Sequence, residues 1–270
     1  MSKSVLSLCD ASPLESCVTT APFVTKDDNK RTNPAAILPG VQSIIAIAVS
    51  QSCGIGAGEP AFGAELSSLG TNVDYHGVVK GKLKDLADEL QKTINFKYKI
   101  LVDSPTLDER AFAARAGLGF FGKHGLLISP QLGTRFNIGL MLTTIPLAEL
   151  AIPAKAQVNA TCPPGCNRCI NACPNNALEE RQPLKYDKCI SYLTQKKELT
   201  LEEEKLLHGQ LFGCDICQDA CPCNKPRNKT YINPTDWISK TDEDFIKEYG
   251  HTSILWQGAE ILRRNARLSL

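Results

Sequence analysis

Long apolar runs are missing from this chain of 270 residues, and nothing in it has the roughly 18 consecutive apolar residues that a membrane-spanning helix requires. Met1 to Thr20 lacks a basic region followed by an apolar stretch, so no secretory signal is expected there, and a cytoplasmic, membrane-free protein is. Net charge is almost absent too. It stands at +1, and residues 1–150 carry 14 basic and 14 acidic side chains against 16 and 15 in residues 151–270. That balance excludes the strong non-specific grip on nucleic acid that a basic chain has. Two local basic spots remain, Lys225-Pro-Arg227-Asn-Lys229 and Arg263-Arg264 with Arg267, for which a solvated face is the ordinary reading. Repeats and low-complexity tracts are absent. Aromatic residues make up only 6%, yet a hydrophobic content of 43% suffices for the core of one large domain or two ordinary ones.

What is abundant is cysteine, and it is concentrated. Nine of twelve cysteines fall between Cys162 and Cys223. The first group is Cys162-Pro-Pro-Gly-Cys166-Asn-Arg-Cys169-Ile-Asn-Ala-Cys173-Pro174 and the second is Cys214-Asp-Ile-Cys217-Gln-Asp-Ala-Cys221-Pro222, with Cys189 between them. Both end C-x2-C-x3-C-P, the spacing of bacterial two-cluster ferredoxins, in which the cysteine before proline crosses to the other [4Fe–4S] cube. This assigns Cys162, Cys166, Cys169 and Cys221 to one cluster and Cys173, Cys189, Cys214 and Cys217 to the other. A zinc ribbon would leave four cysteines unemployed, and disulfides need an oxidising compartment. The gap from Cys162 to Cys166 is one residue longer than usual, and Cys223 is a spare thiol beside a ligand. Cys9, Cys17 and Cys53 have no ligand spacing and read as ordinary buried thiols.

The first 30 residues predict an irregular arm or one short element. Ser43 to Val49 is a continuous apolar run of β-type residues, expected as a central strand buried on both faces. Gly54 to Gly63 is glycine-rich but lacks a dinucleotide fingerprint. Val79, Leu83, Leu86 and Leu90 recur at helical spacing, and Tyr98 to Asp103 predicts a second strand. Thr106 with Glu109 predicts a capping box for a short helix that stops at Gly117. Leu126–Ile128 and Ile138–Thr143 predict two further strands, completing an α/β layer over residues 31–150. Trp237 to Leu270 reads as helical, with Ile254, Leu255, Ile261 and Leu262 as its apolar face.

A ferredoxin module needs only about 60 residues, so the α/β layer implies something for electrons to reach. Asp103 is the candidate for chemistry, because it ends a strand, precedes Ser104-Pro105, and near an apolar cofactor face would have its pKa raised and could donate a proton. A turn cap is an equally good reading of the same residue. Asp74-Tyr75-His76 is a polar and aromatic cluster that also suits a helix start. Gly117-Leu-Gly119-Phe-Phe-Gly122-Lys123 could let backbone approach a ligand, or be a plain turn.

At these residues the chain resembles the epoxyqueuosine reductases, cobalamin-dependent iron–sulfur enzymes of tRNA modification. The stretches that carry the resemblance are Lys30-Arg31-Thr-Asn-Pro34, Leu38-Pro39-Gly40, Asp74-Tyr75-His76, Val102-Asp103, Glu109-Arg110, Ala116-Gly117-Leu-Gly119 to Gly122-Lys123, Cys189-Ile-Ser-Tyr-Leu-Thr194 and the cysteine runs. The resemblance is to a short form without the C-terminal helical repeats. It implies a mixed fold, α/β or α+β: a nitroreductase-like cobalamin-binding domain over residues 1–150, a ferredoxin-like domain with two [4Fe–4S] clusters over 151–235, and a C-terminal helical segment over 236–270. It implies reduction of epoxyqueuosine to queuosine at the wobble position of a tRNA anticodon stem-loop, with electrons from a low-potential donor such as ferredoxin or flavodoxin. Asp103 then matches the general acid, and Asp74, Tyr75, His76, Gly119, Gly122 and Lys123 match cofactor-binding positions. Two alternatives stay open: a corrinoid reductase of another small organic substrate, as the reductive dehalogenases are, and an electron-transfer or corrinoid-binding protein without a substrate of its own.

Overall fold

The computed structural model describes residues 4–10, 31–51, 63–150, 158–180 and 184–270. Lys30, Cys17, Cys53 and most of the glycine-rich loop from Gly54 lie outside the described residues, as does the side chain of Cys9. In chain order the strands and α-helices are β1 (Ser4–Asp10), β2 (Ser43–Ser50), β3 (Ala64–Leu66), α1 (Tyr75–Leu90), β4 (Tyr98–Leu101) and α2 (Glu109–Arg115). There follow β5 (Phe120–Phe121), β6 (Leu127–Ile128), β7 (Phe136–Thr143), α3 (Arg168–Ala172), α4 (Ile190–Leu193) and α5 (Leu201–Glu204). The chain closes with β8 (Gln210–Phe212), α6 (Ile216–Asp219), β9 (Thr230–Ile232), α7 (Pro234–Ser239), α8 (Asp242–Tyr249) and α9 (Ala259–Leu268). No described helix is long and apolar enough to cross a membrane.

Two compact units interleave along the sequence. Met1–Ser50 with His76–Cys166 forms one, and Gln51–Tyr75 with Asn167–Leu270 forms the other. The expected limits at residues 150 and 235 do not coincide with them, since Gln51–Tyr75 counts with the second unit and no break sets the C-terminal helices apart from it.

In the first unit a four-stranded sheet runs in the order β1-β2-β7-β4. Every pairing is antiparallel, with Ser43 opposite Thr143, Ser50 opposite Phe136, and Tyr98 opposite Thr143. This is α+β architecture rather than a parallel open sheet, so a strand end here does not mark a ligand crevice as it would there. β2 is central, as its apolar run predicts. Its Ile44, Ala46 and Ala48 face Phe112, Ala113 and Ala116 on the α2 side. Ile45, Ile47 and Val49 alternate to the other face, also buried. α1 closes that face at Gly139 of β7, where an added Cβ would lie 2.3 Å from Val79 Cγ1 and 2.9 Å from Leu83 Cδ1. Only glycine admits the helix that near. β1 is the one short element that was the alternative to an irregular arm: a seven-residue strand along β2, in which Ser7 Oγ donates to the Ala116 carbonyl.

The second unit has a three-stranded sheet, β8-β3-β9, whose short strands the sequence did not predict. Leu66, Leu211 and Phe212 from it pack with Trp237, Phe245, Tyr249, Ile254, Leu262 and Ala266. Trp237 stands edge-on to both Phe245 and Tyr249, at 5.5 Å between ring centroids in each case, and its Nε1 donates to the Tyr249 hydroxyl at 3.1 Å. The C-terminal helices are therefore core elements of this unit. Asn265, buried on α9, donates to the carbonyls of Thr194 and Leu211.

Candidate functional site

The cysteine run is laid out by short helices and turns. The long Cys162–Cys166 spacing is absorbed by a β-turn in which Cys166 N–H donates to the Pro163 carbonyl at 3.0 Å. Pro164 and Gly165, the latter at φ 71°, occupy its corners, as a type II turn demands. Cys162 and Cys166 fall at the end of the first unit, whereas Cys169 and Cys221 are buried residues of the second. Cys162 Sγ accepts from the Lys123 backbone N–H at 3.4 Å.

The other four predicted ligands lie together in the second unit. Burial above all pushes the Cys189 and Cys217 thiols up and takes Cys214 to about 12, and neighbouring thiols act in the same direction. Cys173 acts on Cys189 and Cys214, and both Cys189 and Cys214 act on Cys217. Three half-buried thiols, Cys189, Cys214 and Cys217, whose ionisation burial and neighbouring sulfurs oppose, suit a cationic centre that holds them as thiolates. Backbone N–H groups already point at them: Ala177 donates to Cys173 Sγ at 3.3 Å, and Ser191 and Tyr192 favour the ionised form of Cys189. Among the described residues no three or more His, Cys, Asp or Glu side chains converge on a single ion position. The ligands of a cubane each take a separate iron and stand farther apart than those of a lone zinc. Asp215, between two of the cysteines, anchors the loop, accepting from Ser68 N–H at 2.6 Å and lying 3.2 Å from Arg227.

Asp103 is displaced from its expected place. β4 ends at Leu101, and Asp103 follows in a turn at φ 51°, a left-handed conformation that aspartate tolerates at a cost of about 1 kcal/mol or more. Its side chain is 71% exposed, so the chain alone does not supply the desolvation expected of a proton donor. The turn is held from below by Glu109. One carboxylate oxygen accepts from Asp103 N–H at 2.9 Å and the other from Ser104 N–H at 2.8 Å. The predicted Thr106–Glu109 capping box is thus not formed; Asp108 caps α2 by accepting from Ala111 N–H, which leaves Glu109 free to reach back. Burial raises the pKa of Glu109 to about 7, against the opposing effect of those two N–H bonds. Sequence reasoning assigned Glu109 to a helix cap and missed its hold on the Asp103 turn, because its partners are backbone groups.

Of the predicted Asp74-Tyr75-His76 cluster, His76 is the member brought to Asp103, with Nε2 3.9 Å from Oδ2. Asp74 and Tyr75 belong to the second unit, and Asp74 N–H donates to the His251 carbonyl. Gly119 and Gly122 have reasons internal to the β5–β6 hairpin. A Cβ at Gly119 would meet the Ile128 carbonyl oxygen at 2.2 Å, and one at Gly122 would meet the His124 ring and the Ile128 side chain, each at 2.7 Å. His124 is 6% exposed and its pKa is lowered to about 4 by burial. Its Nδ1 accepts from Leu126 N–H, which makes Nε2 the protonated nitrogen, and that buried nitrogen has no hydrogen-bond partner among the described residues.

Comparison with known proteins covers both units. Residues 162–224 match the family model described as a 4Fe-4S double cluster binding domain, and residues 31–104 match the model described as Epoxyqueuosine reductase QueG. An epoxyqueuosine reductase of Bacillus cereus is 34% identical over 266 residues, 92% of this chain and 68% of the relative. A crystal structure of epoxyqueuosine reductase with an epoxyqueuosine-modified tRNA-Tyr stem loop superposes with a TM-score of 0.85 at 27% identity, covering 98% of this chain and 76% of that one. The Bacillus subtilis enzyme, in a structure with its catalytic aspartate loop swung out of the active site, gives 0.84 at 28% identity, covering 98% and 77%. The cysteine spacing, the fold and the identity along both units agree, and the chain belongs to the epoxyqueuosine reductase family.

Proposed function

We infer that this protein reduces epoxyqueuosine to queuosine in the anticodon stem-loop of a tRNA, using two [4Fe–4S] clusters and cobalamin. The observation that carries the reading is that one compact unit holds both Asp103 and Cys162, the latter bonded through sulfur to the Lys123 amide. A redox ligand and a proton donor thus share one unit. Cys162, Cys166, Cys169 and Cys221 would hold one cluster and Cys173, Cys189, Cys214 and Cys217 the other. Cobalamin, when bound, supplies the low-potential attack on the epoxide that no side chain can perform.

The remaining work belongs to the chain. Conversion of the epoxide to an alkene consumes two electrons and two protons and releases water, so a proton must reach the departing oxygen. Asp103 is the residue assigned to deliver it, and bound substrate would shield its exposed side chain from water. His76, 3.9 Å away, orients the carboxylate. The buried Nε2–H of His124, without a partner among the described residues, fits an acceptor such as an amide carbonyl on a corrin side chain, and lies in the turn assigned to the cofactor. Asp74, Tyr75, Gly119, Gly122 and Lys123 complete that assignment. A tRNA substrate and reduced thiolates fit a cytoplasmic enzyme fed by a ferredoxin or flavodoxin. The division into a catalytic segment before residue 150 and a cluster segment after it describes these roles, although Gln51–Tyr75 folds with the latter.

The test is anaerobic turnover of an epoxyqueuosine-containing stem-loop by cluster-reconstituted protein with a low-potential reductant, the nucleoside being read by mass spectrometry. Queuosine formed only when cobalamin is present is the expected result. Absence of product from protein shown to hold both clusters and cobalamin would overturn the reading.

A further inference from the structure

We propose that Glu109 is a positioning residue, a carboxylate latch that sets the Asp103 turn in its proton-delivering conformation and releases it when the latch is neutralised. The proposal rests on the reading of Asp103 as proton donor, and it starts from an oddity of the helix start. A glutamate at the first position of a helix ordinarily faces the helix N-terminus, but here Asp108 takes the cap and Glu109 turns back over the preceding loop. It is 9% exposed, and both of its oxygens are used, one on each of two successive amides. Pro105 follows with no N–H of its own, so the chelate consists of those two bonds.

Two adjacent N–H groups aimed at one anion require a bent backbone, and Asp103 at φ 51° supplies it. The latch and the conformation are therefore one device. With Glu109 charged, the amides of Asp103 and Ser104 are fixed and the Asp103 side chain projects outward. With Glu109 protonated, one oxygen becomes a donor, one amide loses its acceptor, and the left-handed turn loses its support.

The charged groups around the latch are consistent with a switch rather than a permanent ion pair. The Asp103 carboxylate opposes the charge on Glu109 and Arg31 favours it, the latter from the segment whose carbonyl accepts from Asp108 N–H. Asp108 is engaged with Ala111, and Arg110 on the same helix donates to the Gly125 carbonyl. Burial dominates, which brings the neutral form of Glu109 within reach near neutral pH.

The test compares wild type with Glu109→Gln and Glu109→Asp as holoprotein with both clusters and cobalamin. Amide hydrogen exchange across Leu101–Asp108 reads the latch directly and needs no turnover. Asp103 and Ser104 should be protected in wild type at pH 8, and exchange at least about tenfold faster in Glu109→Gln. On the stem-loop substrate, Glu109→Gln should lose about 10- to 100-fold in kcat with KM within twofold, as a misplaced catalytic group does. Glu109→Asp should recover part of that loss. The wild-type rate should fall as pH drops below about 7, and Glu109→Gln should lack that limb. Thermal stability at pH 8 should not fall in Glu109→Gln, a result that a merely structural role would reverse. Unprotected amides in wild type overturn the latch. Protected amides with wild-type kcat in Glu109→Gln overturn its role in positioning. A wild type that makes no queuosine faults the reaction, and the exchange measurement still decides the latch.

Discussion

Glu109 and His124 are buried ionisable side chains of the same unit, and they pull its stability in opposite directions as pH changes. Glu109 has its folded pKa raised from 4.5 to about 7, so the folded state binds the extra proton and stability falls as pH rises through that window. Keeping the carboxylate charged above pH 7 costs about 3 kcal/mol. His124 has its folded pKa lowered from 6.5 to about 4, so stability rises with pH between those values by a similar amount. The two slopes nearly cancel between pH 4.5 and 6.5. Glu109→Gln removes one of them, and its thermal midpoint should climb with pH over that range while wild type stays nearly flat; a flat profile in both would contradict the burial of His124. Asp103 was legible in the sequence as a residue type before a Ser-Pro step. Its left-handed turn and its support were not, because the bonds that fix them run from backbone N–H groups to a glutamate that local pattern assigns to a helix cap.

At the scale of elements, strong periodicity was legible and short pairing was not. β2 announces itself by a continuous apolar run and α1 by apolar residues at a period of 3.6. β3, β8 and β9 are three residues each, too short to show alternation, and β1 lies in a stretch rich in serine and threonine. The antiparallel order of the first sheet depends on partners nearly 100 residues apart, which no local window contains. Gly139 is the point where packing of α1 on that sheet is decided. Gly139→Val should destabilise the protein by about 1–3 kcal/mol, as overpacking a filled core does, with a lower thermal midpoint by calorimetry. An unchanged midpoint would mean that α1 does not sit at Val79 and Leu83 as described. In the cysteine run the extra residue between Cys162 and Cys166 looked like an irregularity, yet Pro-Pro-Gly is the signature of the turn that accommodates it.

For the whole molecule, near-neutral charge was read correctly from composition, and the structure shows how the local basic spots are spent. Arg227 is 8% exposed among Glu65, Asp215 and Asp219, and Lys229 pairs with Glu65. Arg263 pairs with Asp242 and Glu260, Arg267 pairs with Glu260, and Arg264 donates to the carbonyls of Lys196 and Lys197. Arg227 and Arg264 hold the fold, and Arg263 and Arg267 are taken up by surface ion pairs. Arg263→Ala with Arg267→Ala should therefore leave KM for the stem-loop within about twofold in turnover assays, whereas a phosphate contact would raise KM and flatten its salt dependence. The two interleaved units could not be drawn from composition, because Gln51–Tyr75 joins the second through long-range contacts that leave no mark in residue content. The most direct test of the account is the single-turnover rate of Asp103→Asn, assayed with both clusters and cobalamin bound and an epoxyqueuosine stem-loop. A loss of about 10²- to 10⁴-fold, with cofactor spectra and stem-loop binding unchanged, is expected if Asp103 delivers the proton. A wild-type rate would contradict it.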